Sequence, residues 1–283
     1  MQIAMIQDRI VPLNELSDAY MDRGTYFGDG VYEVVRSYDG RIFALAEHLT
    51  RLARSLNEIG IAGVDINEIR RRVEQAYEAA SIADAKIYFH ITRGSQFRSH
   101  VAPRDLAPNF FLTVTELADD TEQKERGIAV STFPDWRWAR CDIKSLNLLP
   151  NVLARMDAEK NGCAEAILVD EKGYITEGAG SAFFAVSAQQ RRLVTRRLGR
   201  KILPSITRRF VIEIAYEAGL TVLEKAITPA QALRANELFI VVTTRDIVPV
   251  VEFDGERIGT GRPGEYTKWL MNEFRKLVLS ARW

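Results

Sequence analysis

In Arg140-Cys141-Asp142-Ile143-Lys144-Ser145-Leu146-Asn147, a polar run between a tryptophan-rich strand edge and a helix, Lys144 stands apart from the other lysines of the chain. A lysine that folding takes partly out of water loses some preference for the ammonium form and becomes a usable nucleophile toward an aldehyde. The ordinary alternative is a solvated lysine that caps a surface turn or pairs with Asp142.

Toward the C-terminus, Glu177 lies in Thr176-Glu177-Gly178-Ala179-Gly180-Ser181, where glycines let backbone approach a ligand closely. A carboxylate there could keep a pyridine nitrogen protonated, which strengthens a cofactor's electron sink; a solvated glutamate in a hairpin turn is the plain alternative. Phosphate candidates are Arg51, Ser205-Ile206-Thr207 and Thr243-Thr244. Pro204 and Ser205 make a helix start, and the amides of a helix start, hydroxyls and a guanidinium are the donors a phosphate dianion collects. Against this, Thr-Thr often simply ends a strand, and Arg51 could pair with Glu47 one turn earlier.

Toward the N-terminus, residues 30–37 read as a strand and residues 47–59 as a helix whose Leu49, Leu52, Leu56 and Ile59 keep helical spacing, with His48, Arg51 and Ser55 sharing the opposite face. A second helix is expected over residues 67–80 and strands over residues 86–92 and 110–115. Tyr32, on the first strand, faces opposite to Glu33. Arg98 and His100 fall in a loop-like segment, and in extended backbone a spacing of two puts both side chains on one side, where they could grip a carboxylate with Tyr32 as a third donor. A half-buried sheet tyrosine and an exposed basic turn are the alternatives.

The polar residues 116–126 have the composition of a connector. The expected organisation is a smaller part over residues 1–117, a connector over 118–125 and a larger part over 126–283. Strands are expected in the larger part over residues 128–133, 164–170, 181–186, 221–226 and 237–242, with helices over 151–161 and 205–218. With 283 residues and 47% hydrophobic composition the chain can bury a substantial core, and the class expected is α+β.

Lys+Arg and Asp+Glu balance at 38 each, so no charge excess is available for a nucleic-acid backbone or an anionic membrane. Cys141 and Cys163 have neither a pairing framework nor a metal-type spacing, so a reducing compartment and no metal are expected. Asp8, Asn14, Glu15 and Asp18 interrupt the first twenty residues, and no stretch approaches a membrane span; a cytoplasmic protein is the expectation.

Taken together, Arg23-Gly24-Thr25-Tyr26-Phe27-Gly28-Asp29-Gly30-Val31-Tyr32-Glu33, Glu47-His48-Leu49-Thr50-Arg51-Leu52, Asp142-Ile143-Lys144-Ser145-Leu146-Asn147, Thr176-Glu177-Gly178 and Ile206-Thr207-Arg208 make the chain resemble the fold-type IV pyridoxal phosphate enzymes. That group holds branched-chain aminotransferases, D-amino acid aminotransferases and aminodeoxychorismate lyases. The resemblance runs over nearly the whole chain and rests on five matches in the family's order. It implies a small N-terminal α/β sandwich and a larger pseudo-barrel-like C-terminal domain. It also implies pyridoxal 5'-phosphate as cofactor, with Lys144 as its Schiff-base lysine and proton shuttle and Glu177 at the pyridine nitrogen. Arg51, Ile206, Thr207 and Thr243 would hold the phosphate, the isoleucine through its amide.

Tyr32, Arg98 and His100 look like the carboxylate trap of the D-alanine aminotransferases, in which the loop pair comes from the partner subunit. A homodimer exchanging amino groups between D-amino acids and 2-oxo acids is thereby implied. Two positions depart from the pattern: Ala182 stands where an asparagine often follows, and Val242 where the D-alanine enzymes carry a serine near the cofactor. Within the family the rivals are a branched-chain L-amino acid aminotransferase and a lyase releasing pyruvate; outside it, a non-catalytic cofactor- or phosphate-binding module.

Overall fold

The alternating strand at residues 30–38 joins the two parts of the fold. The computed structural model describes residues 2–117 and 120–280. A hairpin of β1 (Ile3–Ile6) and β2 (Arg9–Pro12) precedes the short helix α1 (Arg23–Phe27). Then follow β3 (Gly30–Tyr38), β4 (Arg41–Ile42), α2 (Leu45–Glu58), α3 (Ile66–Ala80), β5 (Ala85–Thr92) and β6 (Asn109–Glu116). The strands form an antiparallel sheet in the order β4-β3-β5-β6. Val31 and Val35, four apart on β3 and so on one face of it, sit in one core with Leu49, Leu52 and Leu56 of α2 and Ile69 and Val73 of α3. Asp65 caps α3 by accepting from the Asn67 amide at 2.9 Å.

The opposite face of β3 meets the second part. Arg36 donates to the Thr244 carbonyl (3.0 Å), Tyr38 bonds the Asp246 carboxylate, and Tyr38, Phe43 and Ala44 are buried with Phe210, Leu270 and Phe274.

That second part contains α4 (Thr121–Arg126), β7 (Ile128–Pro134), α5 (Leu149–Lys160), β8 (Glu165–Val169), β9 (Ile175–Gly178), β10 (Ala182–Ser187) and β11 (Arg192–Thr195). It continues through α6 (Ile206–Glu217), β12 (Thr221–Glu224), α7 (Pro229–Ala232), β13 (Glu237–Val242), β14 (Asp246–Phe253), β15 (Glu256–Arg257) and α8 (Glu265–Leu279). Among the described residues, its nine strands make one mixed sheet, β12-β11-β10-β13-β14-β7-β8-β9, with β15 on β14.

The expected α+β architecture of a smaller and a larger part is borne out. The polar segment expected as a connector forms helix α4 over Thr121–Arg126, while residues 118 and 119, including Asp119, lie outside the described residues. Among the described residues, no helix is long and apolar enough to cross a membrane.

Candidate functional site

Strand β3 and helix α2 build one wall. Glu33, fully buried, faces α2 and is gripped by Arg51 through Nε to Oε1 (2.8 Å) and Nη2 to Oε2 (2.7 Å), while His48 Nδ1 lies 2.7 Å from Oε2. Burial pushes the Glu33 carboxyl up, but Arg51 and His48 outweigh it and draw it down to about 2. Burial lowers His48, so its ring is neutral at pH 7. Glu47, the alternative partner for Arg51, is engaged by Arg209 (3.0 Å). The remaining reach of Arg51 is toward the start of α6: Nη1 donates to the Pro204 carbonyl at 2.9 Å.

The segment carrying Lys144 is pinned to the same wall. The Tyr32 amide donates to the Lys144 carbonyl (3.0 Å), the Leu146 amide to the Gly30 carbonyl (3.0 Å), and the Lys144 amide to Ser55 Oγ (3.3 Å). Ser55 thus uses the α2 face it shares with His48 and Arg51. Asp142 does not pair with Lys144: Arg54 and Arg140 hold its carboxylate at 2.5 and 3.0 Å. Lys144 is half-buried, with Nζ 4.1 Å from the centroid of the Tyr32 ring.

Glu177, at the end of β9, is buried and takes a hydrogen bond from Arg137 Nη1 (2.6 Å) and bonds from the Leu203 amide (3.1 and 3.2 Å). Arg137 also donates to both Asp135 oxygens (2.9 and 2.8 Å) and to the Lys201 carbonyl (3.0 Å), and the Thr176 hydroxyl donates to Asp135 (2.7 Å). Burial raises the proton affinity of Glu177, and the Arg137 guanidinium opposes it. Asp135 is also disfavoured as an anion by burial, yet Arg137 and Thr176 keep it below the ordinary carboxylate range.

Tyr32, Arg51, Lys144, Glu177 and Thr243 all line one cavity enclosing about 750 Å³ of empty space including its open mouth. Ser205 lines it too and caps α6 by accepting from the Arg208 amide (3.2 Å), so Ile206 and Thr207 begin the helix at the cavity wall. The departures Ala182 and Val242 also face the cavity and make that part of the wall apolar. Burial pushes the Cys141 thiol, another lining group, up to about 11, which leaves no thiolate nucleophile at neutral pH.

Arg98 and His100 are exposed and do not line this cavity within their own chain. Both pack on Phe27 instead: Arg98 Cζ is 5.2 Å and the His100 ring 5.4 Å from its ring centroid. Arg137 was missed by sequence reasoning. Its local signal, an acid two residues away at Asp135, pointed to an ordinary ion pair, and nothing in the sequence joins it to Glu177 across 40 residues.

This arrangement offers an amine, a buried carboxylate with its own cation, and at the far wall a guanidinium beside a helix start. Comparison with known proteins accords with it. Over 98% of its length the chain is 36% identical to the D-alanine aminotransferase of Bacillus licheniformis, covering 97% of that protein. It is 35% identical to that of Staphylococcus haemolyticus, with 97% of each chain covered. Among solved structures, the branched-chain amino acid aminotransferase of Escherichia coli superposes with TM-score 0.85 at 26% identity, covering 97% of this chain and 94% of that one. The branched-chain aminotransferase of Thermoproteus uzoniensis, solved with norvaline, gives TM-score 0.83 at 27% identity over 96% and 93%. The family profile described as amino-transferase class IV matches residues 30–253, a span that holds every cavity-lining residue named above, and the chain belongs to that family.

Proposed function

We propose that this enzyme is a pyridoxal 5'-phosphate-dependent D-amino acid aminotransferase that passes the amino group of a D-amino acid such as D-alanine to a 2-oxo acid such as 2-oxoglutarate. The observation that carries the reading is the meeting of Lys144, Glu177, Arg51 and Tyr32 at one cavity. The donor set fits the cofactor: an amine for the aldehyde, a buried carboxylate for a ring N–H, and at the opposite wall Arg51, the first amides of α6 at Ile206 and Thr207, and the Thr243 hydroxyl for a phosphate dianion. When bound, the cofactor supplies an aldehyde that condenses with amines and a protonated ring that takes up the electrons left on the substrate carbon.

The chain's own groups do the rest. Lys144 Nζ takes the proton from the substrate Cα and redelivers it on the same face, because its amine hangs from a segment fixed to β3 and α2. Glu177 accepts from the ring nitrogen, and Arg137 opposes the protonation that burial favours at Glu177. The Tyr32 hydroxyl joins Arg98 and His100, supplied across a homodimer interface, in holding the α-carboxylate. The dimer reading is supported by the exposed apolar row Leu149, Val152, Leu153 and Met156 on α5, beside the cavity residues Leu148 and Asn151. The D-preference is supported by the D-alanine aminotransferase relatives at about a third identity.

The test is pyruvate formation by purified protein from D-alanine and from L-alanine, with and without 2-oxoglutarate. Acceptor-dependent pyruvate from the D-isomer alone is expected. Turnover of branched-chain L-amino acids in its place would favour the activity named for the solved neighbours, and acceptor-independent pyruvate release from a bulkier substrate would favour a lyase. Lys144→Ala is expected to abolish turnover together with the visible absorbance of lysine-bound cofactor; retention of either defeats the central assignment.

A further inference from the structure

The Arg23-to-Glu33 motif contributes Tyr32 to the cavity wall and Glu33 to the hold on Arg51, which leaves its first half without a part to play. That half is bound to the loop carrying Arg98 and His100. The Arg23 amide donates to the Gly94 carbonyl at 3.0 Å, at the start of the loop. Arg23 is buried (4% exposed), and its guanidinium donates through Nη1 to the Ser99 carbonyl (2.6 Å) and through Nη2 to the His100 carbonyl (3.0 Å), at the end of the loop. Nε is held by Asp29 Oδ2 at 2.8 Å, and the same carboxylate binds Arg93 Nε at 2.8 Å. One residue therefore spans the loop from 94 to 100.

Phe27 completes the arrangement, with Arg23 Cζ 5.0 Å from the ring centroid on which Arg98 and His100 also pack. Gly94 cannot be another residue: its φ is +125°, and a Cβ there would lie 2.3 Å from the Ala107 carbonyl oxygen.

A loop with exposed side chains and no helix or strand of its own is mobile unless its backbone is tied down. Here the ties fall on the carbonyl between the two trap residues and on that of His100 itself, and they are charge-assisted bonds from a buried guanidinium, the stronger class of hydrogen bond. We propose that Arg23, oriented by Asp29 and backed by Phe27, is the positioning residue that sets Arg98 and His100 for the substrate carboxylate. The inference rests on the reading of Arg98 and His100 as the carboxylate trap. Since those two side chains stand outside their own cavity, Arg23 serves the partner's site in a homodimer.

The test compares steady-state kinetics of the holoenzyme with D-alanine for Arg23→Lys, Phe27→Leu, Arg98→Ala and the combinations with Arg98→Ala plus His100→Ala. Lysine keeps the charge but cannot reach two carbonyls and a carboxylate at once. Arg23→Lys is expected to raise KM about tenfold, with kcat and cofactor affinity within about twofold of wild type. Phe27→Leu should move KM the same way by less. Placed in the trap-less background, Arg23→Lys should add nothing, since it acts only through the trap.

A full additional loss in that background, or a fall in cofactor affinity instead of a rise in KM, overturns the proposal and makes Arg23 a general structural residue. If Arg98→Ala leaves KM unchanged, the trap reading fails and the role of Arg23 fails with it. If Arg98→Ala raises KM while Arg23→Lys and Phe27→Leu do not, the trap stands and only the positioning role is lost. Should Arg23→Lys not fold, Phe27→Leu, at a half-buried position, decides by the same comparison.

Discussion

Glu177 is pulled in opposite directions, toward protonation by burial and toward ionisation by Arg137 at 2.6 Å. Its usefulness at a ring nitrogen depends on the second influence. Arg137→Gln keeps a hydrogen-bond donor but removes the cation, so the proton affinity of Glu177, already raised by burial, climbs further. The sign follows: a carboxyl with a raised folded-state value loses its charge as pH falls through that value, so the acid limb of kcat in Arg137→Gln should move to higher pH. We expect kcat at neutral pH to fall by about 10–100-fold. An unshifted acid limb would show that Arg137 serves Asp135 alone. The weak point of the sequence reading was this pair, because Asp135 offers Arg137 a partner two residues away and the larger consequence lies across the cavity. Lys144 stood out only through the family resemblance, because a lysine among Asp142, Ser145 and Asn147 reads equally well as part of a solvated turn.

At the scale of elements, β3 and α2 work as a clasp. Spacing alone placed His48, Arg51 and Ser55 on one face of α2, and that face lies on Glu33 and on the Lys144 backbone. The Glu33 carboxyl sits at about 2 against an ordinary 4.5, so the stability it contributes is present above pH 4.5 and is lost as pH falls toward 2. Glu33→Gln should flatten the acid dependence of urea unfolding in that window. It should also cost about 3–5 kcal/mol at neutral pH, since it leaves Arg51 buried without its anion. Unchanged unfolding at both pH 7 and pH 3 would refute this account.

Other elements were illegible for physical reasons. Strand β14 carries Pro249, which argues against a central strand, yet β13 and β7 flank it on both sides. Helix α8 has no capping side chain at Gly264, because the Glu237 carboxylate of β13 accepts from the Tyr266 and Thr267 amides at 3.1 and 2.8 Å. A cap supplied from 30 residues upstream leaves no mark at the helix start.

For the whole molecule, the exposed loop pair predicts sites shared between two chains. Mixing Lys144→Ala protein with Arg98→Ala protein under conditions that exchange subunits should restore activity, because each mixed dimer holds one site with its lysine intact and an intact loop from the other chain. A trap acting within its own chain would give no restoration. The two sheets of one chain are themselves inseparable. Phe43, from the first, lies 5.0 Å from the Phe210 ring and 5.8 Å from that of Phe274, and Arg36 and Tyr38 reach Asp246. For anyone recombining relatives into chimeras, the covalent junction between the sheets is therefore a poor crossover point: the parental aromatic partners would be divided there, whereas a swap that carries β3, β4, α6 and α8 together keeps them as a matched set.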